Sequence, residues 1–189
     1  GKIMKVYFTG AQSSGKSTLA RFISDKTNSP LLFEVARQIL AEKEIPLDSL
    51  RANFELINQF QKEIFYRQIK EEQKEQNFVS DRSLIDALAY TAQHTSLFNE
   101  LVHSDECKEY IKKLKQPDSF VFFVRPHKYM LKQDGIRESL DWEGVIAIDS
   151  MIKMLLQLFG IRYFDIHTGS IQERIQLVES VLSVQQSNK

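Results

Sequence analysis

One run of residues constrains this chain more than any other feature: Gly10-Ala11-Gln12-Ser13-Ser14-Gly15-Lys16-Ser17 fits the pattern G-x-x-x-x-G-K-[ST] at every position. A loop of this kind has to leave a β-strand and enter a helix. Its glycines allow the tight turn and let backbone N–H groups approach a phosphate, and the following helix points its positive end at the same place. The flanks agree. Ile3 to Thr9 is short, apolar and β-rich, and Lys16 to about Lys26 carries helical periodicity through Leu19, Phe22 and Ile23. The pattern therefore predicts a nucleotide site, for ATP or a related nucleotide with Mg²⁺. Gly10, Gln12, Ser13, Ser14, Gly15, Lys16, Ser17 and Thr18 line it, Lys16 meets the β- and γ-phosphates, and the Ser17 hydroxyl ligates the metal.

The rest of the chain continues the strand–helix alternation. Leu31 to Phe33, Phe78 to Ser80, Ser119 to Val124 and Arg162 to Ile166 read as further strands. Helices are expected over Glu34 to Ala41, within Asp48 to Gln76, from a capping box at Ser83 to about Gln93, from Asp141 to Phe159 before Gly160, and from a second capping box at Ser170. The stretch up to Gln116 is less regular. Five strands alternating with helices predict an α/β fold in three layers around a five-stranded parallel sheet, built as a single domain over residues 1–189.

Composition narrows the class. Hydrophobic residues make up 42% and charged residues 26% of 189, near the globular average, so neither disorder nor a fibrous fold is indicated. Lys plus Arg and Asp plus Glu number 25 each, a formal net charge of zero that argues against a polynucleotide partner held mainly by phosphate contacts. No apolar run reaches the roughly 18 residues of a membrane span. Lys2 and Lys5 are followed at once by a strand and the phosphate loop, so no signal peptide is expected. The single cysteine, Cys107, forbids an internal disulfide and fits the cytosol.

A phosphate loop alone does not choose between kinase, motor and switch. The base-reading N/T-K-x-D of GTPase switches does not occur in the sequence, and Asp141-Trp142-Glu143-Gly144 matches D-x-x-G with no strand before it. Motor ATPases carry an Asp-Glu pair at a strand end. Here the strand ends Phe78-Val79-Ser80-Asp81-Arg82, with Arg in place of that Glu, which favours transfer to an acceptor over hydrolysis.

Three clusters are candidates to complete such a site. Glu34 and Arg37 lie just past the second strand, where Glu34 can take a proton from an acceptor hydroxyl and Arg37 can hold the acceptor. At the third strand end, Asp81 can orient Mg²⁺ or act as base, and Arg82 can clamp phosphate or acceptor. Arg125 to Leu140 carries Arg125, Lys128, Lys132 and Arg137 around Asp134-Gly135, the composition of a lid, with Arg137 the residue best placed to meet the transferred phosphate. The remaining features read as ordinary. Asp86 is a helix cap, Cys107 a small helix residue, Trp142 a packing residue, and Met151, Met154, Leu155 and Leu158 a core stripe. Lys70 to Gln76, lacking an apolar stripe, reads as solvated.

Taken in order, the loop from Gly10 to Leu19, the Glu-x-x-Arg of Glu34 and Arg37, strand-end Asp81, Asp134-Gly135-Ile136-Arg137 and the closing helix–strand–helix resemble the small P-loop kinase-type ATPases that include the ribosylnicotinamide kinase domain of the bifunctional bacterial NAD-biosynthesis regulator. Asp81-Arg82-Ser83 is similar to nucleoside and thymidylate kinases as well. The resemblance implies a nucleoside/nucleotide kinase-like P-loop fold, ATP, Mg²⁺ and a small nucleoside-like or nucleotide acceptor, with nicotinamide riboside one candidate. No adenylyltransferase or DNA-binding domain fits within 189 residues. Two other readings stand beside the kinase: a nucleotide-sensing module that hydrolyses slowly, and a nucleic-acid-end kinase that the neutral charge disfavours.

Overall fold

The structure is a computed structural model that describes residues 3–12, 14–33, 35–43, 54–94, 96–129 and 141–187, with side chains undescribed at 37, 40, 43, 54, 93, 94 and 184–187. Strands β1 (Lys5–Thr9), β2 (Leu31–Leu32), β3 (Phe78–Ser80), β4 (Ser119–Val124) and β5 (Phe164–Ile166) form one sheet in the order β2-β3-β1-β4-β5. Every pairing is parallel, and Val6 of β1 stands between Val79 of β3 and Phe120 of β4. The described helices are α1 (Lys16–Thr27), α2 (Val35–Lys43), α3 (Phe54–Gln73), α4 (Leu84–His94), α5 (Phe98–Val102), α6 (Asp105–Leu114), α7 (Trp142–Leu158) and α8 (Ile171–Ser187).

The apolar strands are covered on both faces, as a parallel sheet requires. Side-chain alternation sorts them into two cores. Val6 and Phe8 of β1, Val79 of β3, and Phe120, Phe122 and Val124 of β4 pack with Leu19, Ile23, Val178 and Leu182 of α1 and α8. Tyr7, Phe78, Val121 and Phe123 point the other way, onto α2, α3, α4, α6 and α7. This gives the three layers expected. β1 lies at the centre with its C-terminal end between those of β3 and β4, the crevice in which open α/β sheets hold ligands.

Local chemistry sets the ends. The Asp141 side chain accepts from Gly144 N at 2.8 Å, so the D-x-x-G match is an N-cap. Gly160, at φ +65°, ends that helix as expected. Two short helices, α5 and α6, occupy the stretch read as irregular. In α6 Cys107, Tyr110 and Leu114 are buried and Ile111 packs beside them, a short apolar signal, and its start is marked by Ser104 accepting from Cys107 N at 3.2 Å.

Two expectations are corrected. The end of α3 is not wholly solvated: Glu72 is buried and accepts from Tyr7 Oη at 2.8 Å, Tyr110 Oη at 2.7 Å and Gln68 Nε2 at 2.8 Å, so hydrogen bonds rather than an apolar stripe seat it. In α7, Leu155 is buried but Met154 and Leu158 are exposed, because the buried stripe runs through Val145, Ile148, Ile152, Leu155 and Leu156. Among the described residues no helix is long and apolar enough to cross a membrane.

Candidate active site

β1 delivers the phosphate loop into the gap between β1 and β4. A Cβ at Gly10 would run into the Val124 carbonyl of β4, so the chain passes there only without a side chain. Gly15, the N-cap of α1, has φ +81°, a left-handed conformation that favours glycine. Between them the loop carries a buried serine, Ser14, whose hydroxyl has no hydrogen-bond partner among the described residues.

Helix α4 grips this loop from the side. Asp86 and Tyr90, one turn apart, present side chains to it. Asp86, fully buried, accepts from Gly10 N at 2.9 Å, and the Tyr90 hydroxyl accepts from Gln12 N at 3.3 Å. Asp86 also accepts from Thr9 Oγ1, from Ser83 N at 2.9 Å and from Lys16 Nζ at 3.0 Å. Lys16 Nζ donates in addition to the Gly10 carbonyl. Asp86 is therefore the helix cap that its spacing from Ser83 implies and also the counter-charge of Lys16. The reading as a cap alone is corrected. Burial works against both charges. It draws Lys16 below the ordinary lysine range, with Asp86 pulling the other way. Burial would likewise raise Asp86, but the Lys16 charge and the Gly10, Thr9 and Ser83 donors outweigh it and hold the carboxylate low.

At the end of β3, Asp81 is buried and its carboxylate accepts from Ser17 Oγ at 3.3 Å. Two hard oxygen donors thus face each other beside the loop, the type of set Mg²⁺ takes when phosphate and water complete its shell. Among the described residues no group of three or more His, Cys, Asp or Glu stands ready to hold a metal without such help. The Arg82 guanidinium lies 5.8 Å from the Tyr90 ring centroid, on the same side of the loop as α4. Thr18 is exposed on the first turn of α1.

The root of the expected lid is anchored. Arg125 Nε and Nη2 bind Asp149 at 2.8 and 2.7 Å, and Nη1 reaches Asp165 at 3.3 Å, so this cation is engaged at the end of β4. His127 Nε2 lies 2.9 Å from the His167 carbonyl, and the Tyr129 hydroxyl donates to the Gly169 carbonyl. Ser13, Glu34, the Arg37 side chain, Lys132 and Arg137 lie outside the described residues.

Sequence reasoning missed three contributors: the Lys16 contact of Asp86, Tyr90 and Arg174. The first two left a weak trace, an acid and an aromatic at i, i+4 just after Asp81-Arg82-Ser83. Arg174 left a fainter one. It falls on the buried stripe of α8, four residues before Val178 and eight before Leu182, where a charge is out of place.

The chain matches the AAA domain family over residues 5–174. No curated protein sequence gives a match. Among solved structures, deoxyadenosine kinase from M. mycoides with bound dCTP superposes with a TM-score of 0.69 at 17% identity, covering 96% of this chain and 100% of that one. The NadR protein in complex with NR superposes at 0.66 and 17%, covering 94% of this chain and 48% of that one. Shikimate kinase from Acinetobacter baumannii, in complex with shikimate, superposes at 0.62 and 14%, covering 100% and 96%. At these identities the likeness is one of fold.

Proposed function

The chain belongs to the AAA domain family, and we propose that it is a kinase, a single-domain phosphotransferase that moves a phosphoryl group from ATP to a small nucleoside-like or nucleotide acceptor in the presence of Mg²⁺. The observation that carries this reading is the arrangement at two neighbouring strand ends. Lys16 and Ser17 follow β1, Asp81 follows β3 with its carboxylate 3.3 Å from Ser17 Oγ, and the residue after Asp81 is Arg82 rather than a water-activating Glu. The fold neighbours that act on or bind nucleosides and nucleotides, deoxyadenosine kinase and the NadR protein in complex with NR, support the acceptor class, and nicotinamide riboside stays a named candidate within it.

In this reading, the loop amides and the Lys16 ammonium receive the β- and γ-phosphates, and positioning with charge neutralisation supplies most of the rate. Ser17 and Asp81 would hold Mg²⁺, which offsets phosphate charge when bound. Asp81 or Glu34 orients the acceptor hydroxyl and takes its proton, and Arg82 and Arg37 hold the acceptor. Arg137 meets the charge that develops on the moving phosphoryl group. The test is ATP consumption with Mg²⁺ across nucleosides, nucleoside monophosphates and nicotinamide riboside, with products identified by mass. ATP loss that requires one acceptor supports the assignment, and loss indifferent to all of them overturns it.

A further inference from the structure

Arg174 enters the core from the first turn of α8 and is fully buried. Its guanidinium donates to three carbonyls from three parts of the chain. Nη1 binds the Ser14 carbonyl inside the phosphate loop, Nη2 the Arg125 carbonyl at the end of β4 at 2.8 Å, and Nε the Thr168 carbonyl before α8 at 2.6 Å. Among the described residues no carboxylate pairs with it. A charge is costly to bury without a counter-ion, and neutral carbonyls compensate it only in part.

The Ser14 contact has a geometric consequence. A trans peptide is planar, and its C=O and N–H point in opposite directions. Drawing the Ser14 oxygen down onto Arg174 therefore turns the Gly15 amide the other way, away from the core and into the loop. Gly15 is where the backbone is left-handed and α1 begins, so this amide belongs to the set that faces a bound anion. One guanidinium fixes this peptide plane and places a buried positive charge behind the loop, and the same side chain holds the backbone at the root of residues 125–129.

We propose that Arg174 is a positioning residue for phosphate binding: it aims the Gly15 amide and supplies, from beneath the loop, positive charge whose counter-ion is the polyphosphate of the nucleotide. The proposal rests on the phosphate-loop reading above. It predicts that Arg174 acts on the phosphates alone. Arg174→Met removes both the charge and the forked geometry. Arg174→Lys keeps a charge but cannot bind three separated carbonyls at once.

The experiment is calorimetric titration of the full chain and of Arg174→Lys, Arg174→Met and Lys16→Ala with MgATP and with magnesium tripolyphosphate, beside melting temperatures. The expected result is a loss of about tenfold or more in affinity in both Arg174 variants, by the same factor for ATP and tripolyphosphate. A residue that only supports the fold would lower the melting temperature and leave the affinity of the folded protein unchanged, and that result overturns the proposal. If Arg174→Met does not fold, Arg174→Lys decides by the same criterion. Failure of both to fold marks the residue as structural and also counts against the proposal. If the unaltered chain does not bind MgATP, or Lys16→Ala binds it equally well, the phosphate-loop reading fails instead.

Discussion

Lys16 Nζ lies 3.0 Å from Asp86 Oδ1, both side chains are buried, and the two residues are 70 positions apart in sequence. The residue assigned to phosphate is thus already held by a carboxylate from α4 that also binds the loop backbone at Gly10.

This pairing predicts an asymmetry in stability. Asp86 has four further donors, from Thr9, Gly10 N, Ser83 N and Ser83 Oγ, whereas among the described residues Lys16 donates besides only to the Gly10 carbonyl. Removing the carboxylate leaves a buried cation without its counter-charge, a loss that typically costs about 3–5 kcal/mol. Asp86→Asn should therefore destabilise more than Lys16→Met in equilibrium urea unfolding at pH 7. The same carboxylate is held below its ordinary range, so its contribution is full above the unfolded carboxylate value and fades as pH falls through the folded one. Asp86→Asn should accordingly lose its difference from the unaltered chain only in strong acid. Equal or reversed costs at pH 7 would show that the pair is not the support described.

Asp81 and Ser17 give a metal-centred prediction. Asp81→Asn keeps shape and hydrogen bonding but removes the charge beside Ser17 Oγ. Turnover should fall by about 10²–10⁴-fold if Asp81 is also the base, and the Mg²⁺ concentration for half-maximal rate should rise. Glu34→Gln should leave that Mg²⁺ dependence in place while lowering turnover. A Mg²⁺ requirement unchanged in Asp81→Asn would remove Asp81 from the metal site.

Glu72 sets a different pH dependence, in the core that α3 and α4 share on one face of the sheet. Burial raises its carboxyl from the ordinary 4.5 to about 7, against the hydrogen bonds from Tyr110, Gln68 and Tyr7. A raised carboxyl means that the folded state holds a proton which the unfolded chain has already released. Stability from this group is full below about pH 4.5 and falls as pH rises to about 7, by about 3 kcal/mol in all. Melting curves should show Glu72→Gln flattening that decline, so that the variant gains on the unaltered chain between pH 5 and pH 8. A constant difference across that range would contradict the assignment.

The sheet could be read from the chain because its signals are local. Phe120 to Val124 is an unbroken apolar run, and Lys16 follows Gly15 in a motif with fixed spacing. Helix α6 is harder to read, since Cys107, Tyr110 and Leu114 are its buried residues and only Ile111 adds to that apolar face. What the sequence hid is pairing at long range. Nothing at position 72 announces that its carboxylate is wanted by tyrosines at 7 and 110, and nothing at 174 announces a carbonyl at 14. Polar side chains buried through such partners look like surface residues in a linear reading, because hydropathy records the cost of burying them and not the partner that offsets it.

The most direct measurement of the central claim follows the phosphate itself. The chain is incubated with Mg²⁺ and ATP labelled at the γ-phosphate, with and without a nucleoside, a nucleoside monophosphate or nicotinamide riboside, and the label is located by chromatography. Label should leave ATP only when one of these acceptors is present and be recovered on that acceptor, and Lys16→Ala should abolish the transfer. Label recovered solely as inorganic phosphate, at a rate that no acceptor changes, would contradict this and would make the chain a slow nucleotide-hydrolysing sensor.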